Sequence, residues 1–253
     1  DRAAQLAIKA FKADGIRDVG LESWGVFGRG WSWSRIAVQM TKPQQTTLSA
    51  YPGDWSAATD GPVTGEVIFA PLWDERDKPT ELDFEKSAHQ LEAYKQKYRG
   101  KLQGKIILLN HPVIFKQPEK RKPGRFTDQQ LVGISKAKEP GVNEPLEWPL
   151  LRSPVDPDER RRQDYNMPLE IMVDQMAISR KLRNRLAAFF LEEKVAGVLV
   201  NGWTRSAAVI MHSDYGSYVD GDPIPPPTAV LMNEHYNRIH RLLERDVPVQ
   251  IEL

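Results

Sequence analysis

Apolar positions along the chain fall into two rhythms. Ala3, Leu6, Ala7, Ala10 and Phe11 recur at i, i+3, i+4, i+7 and i+8 and stop before Gly15, which predicts an amphipathic helix over residues 2–14. The same period returns in Phe84, Ala88, Leu91, Tyr94 and Tyr98, in Leu182, Leu186, Phe189 and Phe190, and in Tyr236, Ile239, Leu242 and Leu243. Between these stripes lie short unbroken apolar runs bounded by turn residues: Ile106-Ile107-Leu108-Leu109, Val198-Leu199-Val200 and Ala229-Val230-Leu231-Met232. Runs too short for a free helix and apolar at every position fit strands covered on both faces. Glu66 to Ala70 predicts another short strand, and Val247 to Leu253 alternates as a last one. The expected fold class is α/β.

Other stretches carry weaker signals. Ile16 to Ala50 is rich in aromatic and β-branched residues and reads as strand-like, broken by Gly25, Gly28 and Gly30. Turn clusters at Tyr51-Pro52-Gly53 and Thr59-Asp60-Gly61-Pro62 place a boundary near residue 57. From His111 to about Asn166 prolines and charges dominate, and no element is predicted there. Ala207 to Met211 reads as a hairpin partner, and Asn233 as the cap of the last helix.

The balance of 35 basic and 34 acidic residues gives a net charge of +1, no footprint for nucleic acid or an anionic membrane. No run approaches the ~20 apolar residues of a membrane span. Without cysteine the chain has no disulfide, no thiol chemistry and no cysteine-bound zinc. Lys120-Arg121-Lys122 and Arg160-Arg161-Arg162 are interleaved with acidic residues and read as solvated insertion.

Four stretches, Trp24-Gly25-Val26-Phe27-Gly28-Arg29-Gly30-Trp31, Trp55-Ser56-Ala57-Ala58-Thr59-Asp60-Gly61, Leu102-Gln103-Gly104-Lys105-Ile106 and Glu234-His235-Tyr236-Asn237-Arg238-Ile239, occur in an order that resembles the protease-associated region of secreted zinc peptidases of metallopeptidase family 28. That resemblance implies a swivelling β/β/α domain, a small open sheet or barrel with flanking helices, over residues 58–253, with an insertion at about 111–166. Residues 1–57 would be a helix and strands of the peptidase fold. It implies a secreted or periplasmic protein that hydrolyses terminal peptide bonds with two zinc ions. The zinc ligands would lie downstream, in a peptidase domain of the same polypeptide, so this chain is expected to be a non-catalytic fragment without a cofactor of its own. It would cover the active-site cleft and contribute to substrate access, recognition or subunit contacts, with peptide substrate, the peptidase domain and a homo-oligomer as partners.

Three groups of residues could carry chemistry. Arg29, Trp31, Trp33 and Trp55 could offer a guanidinium and rigid aromatic area to a peptide, or pack at the junction with the peptidase body. A stand-alone module binding peptide or carbohydrate through exposed tryptophans is the alternative class. His212-Ser213-Asp214 has the His-x-Asp form of a zinc site and would make the chain a hydrolase itself, but the 39 residues after Asp214 hold no Glu-Glu pair. Asp214, Asp220 and Asp222 suit calcium by ligand type yet lack EF-hand spacing, and Asp-Gly-Asp-Pro is ordinary turn chemistry.

Overall fold

The computed structural model describes residues 2–23, 25, 27–74, 84–115, 126–136, 169–202 and 215–253. Among them eight strands form one mixed sheet: β1 (Gln39–Lys42), β2 (Thr46–Thr47), β3 (Ala50–Pro52), β4 (Thr64–Phe69), β5 (Ile106–Leu108), β6 (Gly197–Asn201), β7 (Thr228–Leu231) and β8 (Gln250–Glu252). The helices are α1 (Arg2–Ala13), α2 (Phe84–Tyr98), α3 (Asp128–Ser135), α4 (Leu169–Glu192) and α5 (Asn233–Leu243). The spatial order is β2-β1-β8-β4-β5-β6-β7-β3. Strands β4 to β7 run parallel, and β8, β1 and β3 are antiparallel to their neighbours.

Alternation along the parallel strands divides the core in two. Ile106, Leu108, Leu199, Ala229 and Leu231 face one side, where they pack with Tyr236 and Ile239 of α5. Ile107, Val198, Val200 and Val230 face the other, against Tyr94 of α2 and Phe189 and Phe190 of α4. Both faces are covered, which is why these runs are apolar throughout; each fully buried Leu or Ile stabilises by ~1.5–3 kcal/mol. Met40 and Ile251 join Leu231 in the α5 core although their strands are far apart in the sheet order, so the sheet curls around α5.

Several sequence expectations change here. The described residues between 16 and 38 form no strand, and the strand-like stretch yields only β1, β2 and the start of β3 among them. The segment from His111 to Asn166 holds an eight-residue helix, α3, introduced by the Thr127 carbonyl accepting from the Leu131 N–H at 2.9 Å. Helix α4 starts well before Leu182. Asn233 is the first residue of α5 and not its cap; Met232 holds that place without a side-chain capping bond. Residues on both sides of position 57 contribute strands to one hydrogen-bonded sheet, β1 pairing with β8 and β3 with β7. The Ala207–Met211 partner lies outside the described residues.

Helix α5 is tied to the link between β2 and β3, where the Ser49 N–H donates to His235 Nδ1 at 2.9 Å. Burial and the Arg238 charge hold His235 below its ordinary 6.5, against a smaller opposing pull from Glu234. The unfolded chain therefore binds the extra proton first as pH falls. The contribution of this neutral histidine is complete above about pH 6.5 and is lost as pH drops through the folded value. His235→Gln is expected to cost about 1 kcal/mol at pH 8 and to shrink that deficit below pH 6, read from urea unfolding at both pH values.

Candidate functional site

The four aromatic and basic residues singled out in the sequence gather on one side of the molecule, but they do different things. Gly28 (φ +96°) lets the chain pass so near residue 218 that a Cβ there would stand 2.2 Å from the Tyr218 carbonyl oxygen. The next residue, Arg29, donates its N–H to that carbonyl at 2.6 Å and its Nη2 to the Ser217 carbonyl at 2.6 Å. The Arg29 carbonyl in turn accepts the Trp55 indole N–H at 2.9 Å. Rings close the node: Phe27 stacks on Tyr218 with centroids 5.1 Å apart, and Trp55 lies 5.9 Å from Tyr218 and 6.4 Å from Trp31. Trp55 itself sits at φ +51°, a conformation that a bulky side chain adopts only where its surroundings hold it. The Arg29 guanidinium is thus an internal strut.

Asp222 braces this node. Its carboxylate accepts the Ser217 hydroxyl at 2.5 Å and lies 3.6 Å from Arg180 Nε. Burial raises the Asp222 carboxyl, but hydrogen bonds from Ser217 and Asn184 and the Arg180 and Arg29 charges outweigh it and hold it below its ordinary 3.8. Asp220 is exposed on the same turn. Asp214 and His212 lie outside the described residues, as does Trp24.

Beside the node opens a cleft of about 430 Å³, lined by Trp31, Trp33, Arg35, Pro52, Ser56 and Pro227 among others. It lies at the end of the sheet where β7 begins and β8 finishes. Trp33 stands edge-on to Tyr51 at 5.2 Å and stays 44% exposed, so it forms a fixed apolar wall that still faces outward. The structure brings Trp31 and Trp33 to this cleft, leaves Arg29 in the node, and places Arg35 at the cleft instead. Arg35 was not among the sequence candidates. The signal was the spacing of two in Trp31-Ser32-Trp33-Ser34-Arg35.

The described histidines are each occupied differently. His111 Nε2 faces the Trp73 carbonyl at 2.8 Å, His240 is buried with Nδ1 3.3 Å from Glu244, and exposed His89 is 3.9 Å from Glu85. His240 is thus a core residue, set edge-on to Phe69 at 4.5 Å. Among the described residues no three His, Asp or Glu side chains group as metal ligands. Nor is any described helix long and apolar enough to cross a membrane.

No protein-family model and no curated protein matches the chain. Among solved structures it is similar to a peptidase M28 precursor from Shewanella amazonensis SB2B (16% identity, TM-score 0.48), covering 99% of this chain and 40% of that one. It is also similar to an aminopeptidase from Aneurinibacillus sp. strain AM-1 (10% identity, TM-score 0.42; 99% and 37%). A zinc aminopeptidase from Bacillus subtilis gives 9% identity and a TM-score of 0.43, over 99% and 36%. The chain spans two fifths or less of the length of each.

Proposed function

We propose that this chain is a non-catalytic, protease-associated region of a family-28 zinc metallopeptidase, serving as a structural and access element beside the active-site cleft of the parent protein. The observation that carries this reading is the Arg29 node. Its guanidinium, peptide N–H and carbonyl all bond within the chain, to Ser217, Tyr218 and Trp55, which is the work of a junction and not of a reacting site. The quoted motifs and their order in the sequence support the family. In this reading residues 1–57 belong to the peptidase body and residues 58–253 to the accessory domain, both secreted or periplasmic, with the sheet spanning the two. Helix α1 fits the same picture. None of its residues is buried, and Leu6 and Phe11 remain 69% and 49% exposed, so its apolar stripe suits packing against the peptidase domain. The parent would cleave terminal peptide bonds with two zinc ions held by residues of that domain.

Zinc content and aminopeptidase and carboxypeptidase assays on the 253-residue chain test the proposal. The expected result is substoichiometric zinc and no turnover. About one or two zinc ions per chain, with hydrolysis abolished by His212→Ala, would sink it and make His212 and Asp214 the site.

A further inference from the structure

The cleft beside the Arg29 node differs from the node in that the polar groups of residues 32–37 are unengaged. Among the described residues, the peptide groups of residues 32–37 pair with no other backbone group, and Ser32, Ser34 and Arg35 have no side-chain partner. The neighbouring hydroxyls are already committed: Ser56 Oγ donates to the Gly53 carbonyl at 2.7 Å and Thr228 Oγ1 to the Pro226 carbonyl at 2.9 Å. What remains is a run of free main-chain donors and acceptors, the hydroxyls of Ser32 and Ser34, an apolar wall made by Trp31 and Trp33, and one guanidinium.

We propose that this cleft binds an extended peptide segment with an acidic side chain next to an apolar one, Arg35 taking the carboxylate, Trp33 the apolar side chain and residues 32–37 the main chain. Each part has its reason. Unpaired main chain along a cleft is what an added peptide strand bonds to, and pockets for its side chains supply selectivity. Arg35 is exposed, always charged, and able to grip a carboxylate with two parallel N–H groups. A cleft of about 430 Å³ lies in the size range of ligand sites. Free peptide groups stand on both sides of Arg35, at 32–34 and at 36–37, so the bound main chain continues past the carboxylate in both directions. That places the anion on an internal side chain and not on a chain end. The site goes beyond the accessory-region reading and does not rest on it: zinc and turnover in the chain would leave it standing.

The test is a tryptophan-fluorescence titration of the full 253-residue chain with acetyl-Ala-Phe-Glu-Ala-Leu-Ala-amide and with its Gln counterpart. The Glu peptide is expected to give a saturable change and to bind about tenfold more tightly than the Gln peptide. Arg35→Gln should remove that difference and Arg35→Lys should keep part of it, while Trp33→Phe should weaken both peptides alike. Since Arg35 is exposed, an unchanged unfolding transition in Arg35→Gln separates lost recognition from lost structure. Equal affinity for the two peptides, discrimination that survives Arg35→Gln, or no saturable change would overturn the proposal. So would a malto-oligosaccharide that gives the saturable change in place of the peptide. Tighter binding of the Gln peptide once its C-terminal carboxylate is freed would show capture of a chain end and overturn the internal assignment.

Discussion

Gly216→Ala is expected to destabilise the chain by about 3 kcal/mol, the upper part of the range for overpacking, and to detach the aromatic node from the sheet. A Cβ at residue 216 would lie 2.2 Å from the Trp55 carbonyl oxygen and 2.6 Å from its carbonyl carbon. Both are backbone atoms, so no rotamer change relieves the contact; either strand of chain must shift. The shift breaks the Gly216 N–H bond to the Asp54 carbonyl, now 2.8 Å, and draws Tyr218 off Trp55 and Phe27. The measurements are urea unfolding, a red shift in tryptophan emission and a loss of near-ultraviolet dichroism. Gly221→Ala is the control. Its φ of +85° makes alanine strained there, but nothing stands within 4 Å, so the cost should be only about 1–2 kcal/mol with the emission unchanged. Equal effects at the two positions would refute the steric account.

Tyr236→Phe should cost about 2–3 kcal/mol, and Tyr236→Ala about 5 or more, enough to unfold a marginally stable chain. Tyr236 is fully buried in the α5 core. Its hydroxyl accepts the Asn110 N–H at 2.7 Å and donates to the Asn110 carbonyl at 2.6 Å, closing both backbone groups just beyond β5. Phenylalanine keeps the ring and leaves two main-chain groups without that partner. Alanine adds a cavity beside Ile239 and Leu231. Thermal and urea unfolding of both variants give the two increments separately. Burial also pushes the Tyr236 hydroxyl well above its ordinary 10, against a smaller opposing pull from its bond to Asn110. Its contribution is therefore complete below about pH 10 and fades as pH rises beyond it, a loss that the Phe variant should not show.

These two sites mark where sequence reading succeeds and where it stops. Tyr236 belonged to a visible helical stripe, and Ile106 to Leu108 announced a strand covered on both faces, because local periodicity records what a segment buries. Residues 16–38 look strand-like in the sequence for the converse reason. Their aromatics serve contacts with distant partners, Phe27 with Tyr218 and Trp31 with Trp55, and such contacts leave no period. Arg29, between Gly28 and Gly30, and Arg35, between Ser34 and Ile36, each stand two residues from a tryptophan, and neither announces its role by residue type. Only the carbonyls of Ser217 and Tyr218, almost 190 positions away, make the first a strut and leave the second available. Thr127 and Asp128 form an ordinary helix-start signal for α3, but the prolines and charges around them hide it.

The place of β8 in the sheet bears on how the molecule assembles. It is the last of the eight described strands, yet it stands between β1 and β4, pairing Ile251 with Met40 on one side and with Gly65 on the other. As the polypeptide leaves the ribosome, β4 to β7 can associate while the β1–β2 ribbon has no neighbour to join. Closure of the sheet waits for residues 250–252, whose contacts span nearly the whole sequence. Such distant pairing slows folding and leaves an open β4 edge exposed in the meantime. The nascent chain would have most need of a chaperone at that edge until Gln250 to Glu252 emerge and pair.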